Sequence, residues 1–347
     1  MNRKLMFASD YQEGACPAIL RRLEDTNQIS FPGYGKDEIC THAKDLIRKA
    51  CNCPDAEVEF LTGGTQTNAT VIDALLCSYQ GVLAAESGHV NVHEAGAIEF
   101  GGHKVLPLSG TNGKLTAAQI EQYLTDFHND GNWDHMVMPG MVYISQPTEF
   151  GTLYSLEELT EIHRVCRQFR IPLYVDGARL AYALASPDND ISLSDLARLC
   201  DVFYIGGTKC GALFGEAVVI PDSSLIPHFF TIIKQHGALL AKGWLLGIQF
   251  DELFRDDLYL HIGEPAIRYA SRIKKALAEN HYQLFMDSPT NQIFFVIDND
   301  KMSVLSEKIS FGFGEKYDEH HCVIRFATSW STREDDVNDL CDLLKSL

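Results

Sequence analysis

Between residues 58 and 220 the chain alternates short apolar runs with stretches whose apolar residues recur at helical spacing. Residues 58–61, 82–85, 141–145, 171–175, 202–205 and 217–220 are short, almost wholly apolar and rich in β-branched residues, so they read as buried strands. Ahead of the first strand, Ile39, Ala43, Leu46, Ile47 and Ala50 mark one amphipathic helix, and after it residues 69–77 form another. Thr116 with Gln119, and Ser155 with Glu158, have capping-box spacing and open two more, the second carrying Leu159, Ile162, His163 and Cys166 on one face. Residues 194–199 make a short helix, residues 100–107 a glycine-interrupted turn and strand, and the polar residues 128–135 an exposed loop. Residues 225–254 look helical, with Gly237, Gly243 and Gly247 allowing a break or close packing.

This alternation predicts an α/β layered sheet. After about residue 255 the pattern changes to a helix at 264–280, a strand at 292–297, a short helix, a strand at 323–328 and a terminal helix from Thr332. The expected organisation is therefore an N-terminal arm over residues 1–20, a large domain over 21–255, and a smaller α+β domain over 256–347.

Composition narrows the class of function. A net charge of -18 disfavours non-specific nucleic-acid binding, which needs a basic surface. Ten cysteines are scattered through a chain of 347 residues rather than framed as pairs, which suits reduced thiols. Cys51 and Cys53 are too close for the usual zinc pair and lack a second pair, so no metal is expected. The first residues lack the apolar core of a signal peptide, and no run is long enough to span a bilayer, so the expected location is the cytoplasm, with no membrane partner.

The chemistry concentrates in residues 171–211. One apolar strand delivers Asp176 at its end, and the next leads into Gly206, Gly207, Thr208 and Lys209. Neighbouring strand ends would thus carry a carboxylate and an amine at the edge where open parallel sheets bind ligands. Pyridoxal 5'-phosphate needs that pairing, because its aldehyde condenses with a lysine and an acid partner keeps its ring nitrogen protonated. Upstream, Gly63, Gly64, Thr65 and Gln66 turn a strand into a helix, whose first N–H groups suit a phosphate. His89 and His93 stand at helical spacing without an HExxH motif, so a metal pair is not indicated, and a histidine ring could lie flat on a pyridine cofactor. Arg325, inside an apolar strand, must face a partner, a cavity or water at a sheet edge.

The segments DGARL and GGTKCGALFGEAVVI, with GTQTN upstream, resemble the threonine aldolase and β-eliminating lyase group of fold-type I pyridoxal-phosphate enzymes. The resemblance covers nearly the whole chain and is most specific from Phe60 to Val219. It implies a transferase-like large domain with a mainly parallel sheet and a smaller C-terminal α+β domain. It also implies Lys209 as the cofactor lysine, Asp176 at the ring nitrogen, His89 stacked on the ring, Gly64, Thr65 and Gln66 on the phosphate, and Thr208 as a further cofactor-binding residue. Arg179 is implied near the cofactor's 3-hydroxyl and the substrate carboxylate, with Ser9 and Arg325 also on that carboxylate and Tyr34 near the cofactor. Lys242 is a candidate for reaching a phosphate, that of a neighbouring subunit included. The implied reaction is retro-aldol cleavage of a β-hydroxy-α-amino acid, L-threonine or L-allo-threonine, to glycine and an aldehyde. His89, His93 or a water is the base. Phenylserine cleavage, β-elimination, transamination and a cofactor-free binding protein are the competing readings. Relatives often carry a THLD-like run where this chain has Thr328, Ser329, Trp330 and Ser331, which puts substrate preference in question. The group usually shares active sites across a homodimer or homotetramer.

Overall fold

In the computed structural model, which describes residues 4–347, the apolar runs become the strands of one seven-stranded sheet. The arm contributes β1 (Leu5–Met6). The sheet strands follow as β2 (Glu57–Leu61), β3 (Gln80–Ala85), β4 (Lys104–Leu108), β5 (Met138–Ser145), β6 (Leu173–Asp176), β7 (Val202–Gly206) and β8 (Glu216–Ile220). Their order is β2-β8-β7-β6-β5-β3-β4. Only β8 runs against its neighbours β2 and β7. The other pairings are parallel.

Every residue of β6, β7 and β8 is buried, which requires cover on both faces. The strand pleat sorts the side chains. Leu173, Val175, Phe203, Ile205, Ala217 and Val219 face one apolar cluster, while Tyr174, Val202, Tyr204, Val218 and Ile220 face the other. Each such large side chain contributes roughly 1.5–3 kcal/mol by leaving water.

The ends of β6 and β7 are pressed together. A Cβ on Gly177 would lie 2.0 Å from the Tyr204 carbonyl oxygen, and one on Gly206 would lie 2.4 Å from the Ala178 oxygen. Gly177→Ala is therefore expected to destabilise the protein by about 1–3 kcal/mol, read as a lower denaturation midpoint at unchanged slope.

The C-terminal part adds β9 (Leu284–Met286), β10 (Gln292–Asp298), β11 (Ile309–Ser310), β12 (Gly312–Lys316) and β13 (His321–Ala327). Strands β12-β13-β10-β9 form an antiparallel sheet, and helices Glu264–Glu279 and Glu334–Ser346 pack against each other beside it. The arm belongs physically to this unit, since β1 pairs with β11 and Phe7 sits in its apolar core with Phe295 and Phe326. The expected boundary near residue 255 falls where helix Trp244–Phe254 ends, although Ile262 and Ala266 still pack on the larger core.

Several expectations need correction. The helical stretch expected over 225–254 starts later, at Phe229, and takes the break that its glycines allowed, giving Phe229–Gln235 and Trp244–Phe254 with Gly237 at φ +63 between them. The helix expected from residue 69 starts at Gly64, because extended Gly63 caps it without a side chain. Helix Ala117–Asn129 runs into the stretch expected as a loop, ending beyond His128. Strands β1, β9, β11 and β12 carry no apolar run strong enough to be read. Among the described residues no helix is long and apolar enough to cross a membrane.

Candidate functional site

The carboxyl ends of β2, β3, β5, β6 and β7 open onto one cavity of about 330 Å³. It is lined by Gly64 and Thr65 after β2, His89 and His93 after β3, and Ser145 and Glu149 around the end of β5. Asp176 and Arg179 enter from β6, Thr208 and Lys209 from the turn after β7, and Glu216 from the start of antiparallel β8. The sheet thus gathers residues far apart in sequence at the edge where parallel strands leave off.

Asp176 is the most constrained group. Its Oδ2 accepts from Tyr143 at 2.6 Å and from Asn68 Nδ2 at 3.1 Å, while Oδ1 accepts from Tyr204 at 2.5 Å and from the Ala178 N–H at 3.0 Å. Burial pushes this carboxyl up, but His89 and the two tyrosine hydroxyls outweigh it and hold it below the usual aspartate range. The two hydroxyl donors come from β5 and β7, the strands on either side of β6, and Asn68 comes from helix Gly64–Leu75, where Tyr174 fixes it by donating to its Oδ1 at 2.8 Å. Glu94 extends the network, accepting from Asn68 at 2.7 Å and bonding His89 Nδ1 at 2.6 Å.

Lys209 lies in a turn fixed by Tyr182, whose hydroxyl donates to the Lys209 carbonyl at 2.6 Å. Burial, followed by the Arg179 guanidinium, keeps its amine below the usual lysine range against the pull of Asp10, Asp176 and Glu216. Such an amine is more readily a free nucleophile. Thr208 turns its hydroxyl to Glu216 Oε1 at 2.8 Å, and burial drives the Glu216 carboxyl up.

Arg179 forks onto Asp10 through Nε at 2.6 Å and Nη2 at 3.0 Å. Asn291 donates to the same carboxylate at 2.9 Å. Burial works to raise the Asp10 carboxyl, yet Arg179 and Lys209 hold it at about 2. A carboxyl lowered on folding stabilises the native state above its unfolded pKa and loses that contribution as pH falls through the folded value. Chemical denaturation should therefore show about 2 kcal/mol of stability disappearing between roughly pH 4 and pH 2, and Asp10→Asn should lack this acid-sensitive part.

Arg325 donates Nη1 to Gln292 at 3.0 Å and Nη2 to the Ala8 carbonyl at 2.8 Å. Its buried Nε has no partner, and neither has the Ser9 hydroxyl on the residue next to Ala8. Burial and Arg179 hold the Arg325 guanidinium below its usual range. Among the described residues no carboxylate pairs with it. A half-buried cation with neutral partners only is a site that favours an incoming anion.

Not every expected residue reaches the cavity. Gln66 turns its side chain back, with Oε1 accepting from the Thr62 N–H at 3.2 Å and hydroxyl at 2.6 Å, so only its main chain is open to a ligand. Tyr34, at φ 63, and Lys242 are exposed and lie outside this chain's cavity lining. Asp10, Asn68, Glu94, Tyr143, Tyr204, Glu149 and Glu216 were not singled out by sequence. Tyrosines recurring on the same face of otherwise aliphatic strands were the available signal.

The donor set fits pyridoxal 5'-phosphate. Helix Gly64–Leu75 begins its internal bonding with the Thr67 N–H on the Gly63 carbonyl, so the N–H groups of Gly64, Thr65 and Gln66 are left for an anion. An ionised carboxylate and a depressed lysine amine occupy other walls of the same cavity.

Comparisons agree with this geometry. Residues 7–286 match the family model for beta-eliminating lyases. The chain is 31% identical to a low specificity L-threonine aldolase of Pseudomonas aeruginosa over 342 residues, covering 96% of this chain and 95% of that one. A solved threonine aldolase from Leishmania major superimposes with a TM-score of 0.95 at 41% identity, covering 98% of each chain. An aspartate aminotransferase from Thermus thermophilus shares the fold alone, with a TM-score of 0.73 at 12% identity, covering 99% of this chain and 91% of that one. A matching family model over most of the chain, a full-length relative and a site of the expected composition lead to one conclusion: the chain belongs to the beta-eliminating lyase family.

Proposed function

We propose that this protein is a pyridoxal-phosphate-dependent aldolase that cleaves a β-hydroxy-α-amino acid to glycine and an aldehyde. The observation that carries the reading is a single cavity holding a depressed lysine amine, an ionised buried aspartate and a helix N-terminus. When bound, the cofactor supplies an electron-poor ring that absorbs the electrons released from a broken bond at Cα.

The chain's own residues do the rest. Lys209 is the amine that holds the cofactor's aldehyde, Asp176 keeps the ring nitrogen protonated, and His89, tied to Glu94, covers the ring. Gly64, Thr65 and Gln66 offer main-chain N–H groups to the phosphate, and Thr208 closes that side of the cavity. Arg325 and Ser9 receive the substrate carboxylate with their unpaired atoms, while Arg179 is held rigid by Asp10 beside them. Fixing the carboxylate fixes which Cα bond stands across the ring plane, and so which bond breaks.

A second chamber of about 360 Å³ adjoins the first and is lined by Phe150, Phe285, Phe294 and Phe313, with His93, Glu149 and Arg325 at its rim. Its aromatic walls favour a bulky or aryl substituent on Cβ, which supports phenylserine as a substrate beside threonine. Incubation with L-threonine, L-allo-threonine and phenylserine, reading glycine and aldehyde together, tests the function. Release of ammonia or a keto acid instead would favour β-elimination or transamination.

The same reading includes a homodimer or homotetramer in the cytoplasm. Tyr34 and Lys242 are exposed on adjoining loops, joined by the Tyr34 N–H on the Ala241 carbonyl, and in an assembly they would serve a neighbour's site. All ten cysteines are free, which suits a reducing compartment.

A further inference from the structure

Glu149 is a carboxylate for which the reading above has no use. It follows β5 in the segment Gln146 to Gly151, and it lines both the cofactor cavity and the aromatic chamber. Among the described residues only His93 shares that double position, and His93 is largely exposed, with its imidazole pushed down by partial burial and by His89. Glu149 is instead held in place. Its Oε1 accepts from Ser145 Oγ at 2.7 Å and from the His89 N–H at 3.0 Å. Its carbonyl accepts from Gln292 Nε2 at 3.0 Å. The loop beneath it is locked by Gln146, which donates to the Tyr154 carbonyl at 3.2 Å and accepts from the Tyr154 N–H at 2.9 Å. Burial raises this carboxyl above the ordinary glutamate range, and Asp176 adds to the rise. The charged and titratable groups that line the two cavities with it are Tyr11, His89, His93, Asp176, Arg179, Tyr204, Lys209 and Glu216 in the first and Glu315 and Arg325 in the second, and the buried hydroxyls of Tyr143 and Tyr154 also interact with its charge.

With Cα toward Lys209 and the substituent on Cβ in the aromatic chamber, as the aldolase reading has them, the β-hydroxyl of a bound substrate would fall where the two cavities meet. We propose that Glu149 is the catalytic base that takes the β-hydroxyl proton during cleavage and returns it in the reverse addition, a role that rests on the aldolase reading. The O–H bond breaks, its electron pair becomes the carbonyl π bond of the aldehyde, and the Cα–Cβ bond breaks. That pair remains with the glycine fragment, which takes a proton from water, and the proton held on Glu149 passes to the hydroxide so formed, which restores the carboxylate. Ser145 and the His89 N–H act as positioning donors, keeping Oε1 in register with the chamber mouth.

Glu149→Gln is nearly isosteric, and its carbonyl oxygen still accepts from Ser145 and His89, so the fold is preserved. The expected result is a fall in kcat for β-hydroxy amino acids of about 10²–10⁴-fold with KM little changed. Exchange of glycine α-hydrogens with solvent, which involves no β-hydroxyl, falls far less. Infrared spectra of purified wild type compared with the variant should also show a carboxyl band that persists to higher pH than an ordinary glutamate and is missing from the variant. Equal losses in cleavage and glycine exchange, or cleavage at the wild-type rate, would overturn the assignment to Glu149 and leave the aldolase reading intact. A wild-type protein that releases no aldehyde would overturn the reading and this role with it.

Discussion

Lys209→Ala is expected to abolish cleavage, with a loss on the order of 10⁴-fold or more, while leaving the protein folded. Its charge is disfavoured by burial and by Arg179 and favoured by Asp10, Asp176 and Glu216, so removing the side chain takes away opposing contributions to folding. The turn itself is held through main-chain groups. Tyr182 donates to the Lys209 carbonyl, the Thr208 N–H reaches the Gly215 carbonyl at 3.1 Å, and the Cys210 N–H reaches the Gly207 carbonyl at 2.8 Å. None of these bonds needs the side chain. With cofactor removed from both proteins the melting temperature should stay close to that of wild type, and borohydride should fix the cofactor to the wild-type peptide containing Lys209 but to no peptide of the variant. Label on a different lysine would move the covalent site elsewhere.

Asp176→Asn is expected to lower cleavage by at least about 10²–10³-fold, the scale set by removing one pre-positioned charge partner. A carboxylate has about four acceptor positions, and here Tyr143, Asn68, Tyr204 and Ala178 fill them. The hydroxyl donors can rotate, so a cationic ring nitrogen displaces one of them with a stronger, charge-assisted bond. An asparagine has no such freedom. Either orientation sets its NH2 against donors already aimed at that position, either Tyr143 and Asn68 or Tyr204 and the Ala178 N–H. The variant should therefore also lose about 1–3 kcal/mol of stability, measured by denaturant titration. If the folded variant turned over at the wild-type rate, Asp176 would be a structural anchor and the ring nitrogen would need another partner.

Much of the site was legible because its chemistry follows local patterns. Asp176 ends an apolar run, Lys209 sits in a glycine-rich turn after the next run, and β6 and β7 do lie side by side. The phosphate-binding turn was readable for the same reason, since a strand, two glycines and a helix form one continuous unit. Residues whose role depends on a distant partner were not readable. Nothing in the arm's sequence says that Asp10 will meet Arg179, or that Ala8 will bond Arg325 across the fold. Nothing after β5 says that Glu149 will stand between two cavities, one of them walled by aromatic residues from β9, β10 and β12.

By itself, the sequence determined the layered α/β core, the strand ends that carry Asp176 and Lys209, and the helix start that awaits an anion. These follow from periodicity, burial and main-chain geometry within a few residues. Only the tertiary structure decided which carboxylates are ionised, which arginine is already paired, and where the substrate's side chain would go. Those properties arise from burial and from contacts between segments hundreds of residues apart, and a local pattern carries no record of either.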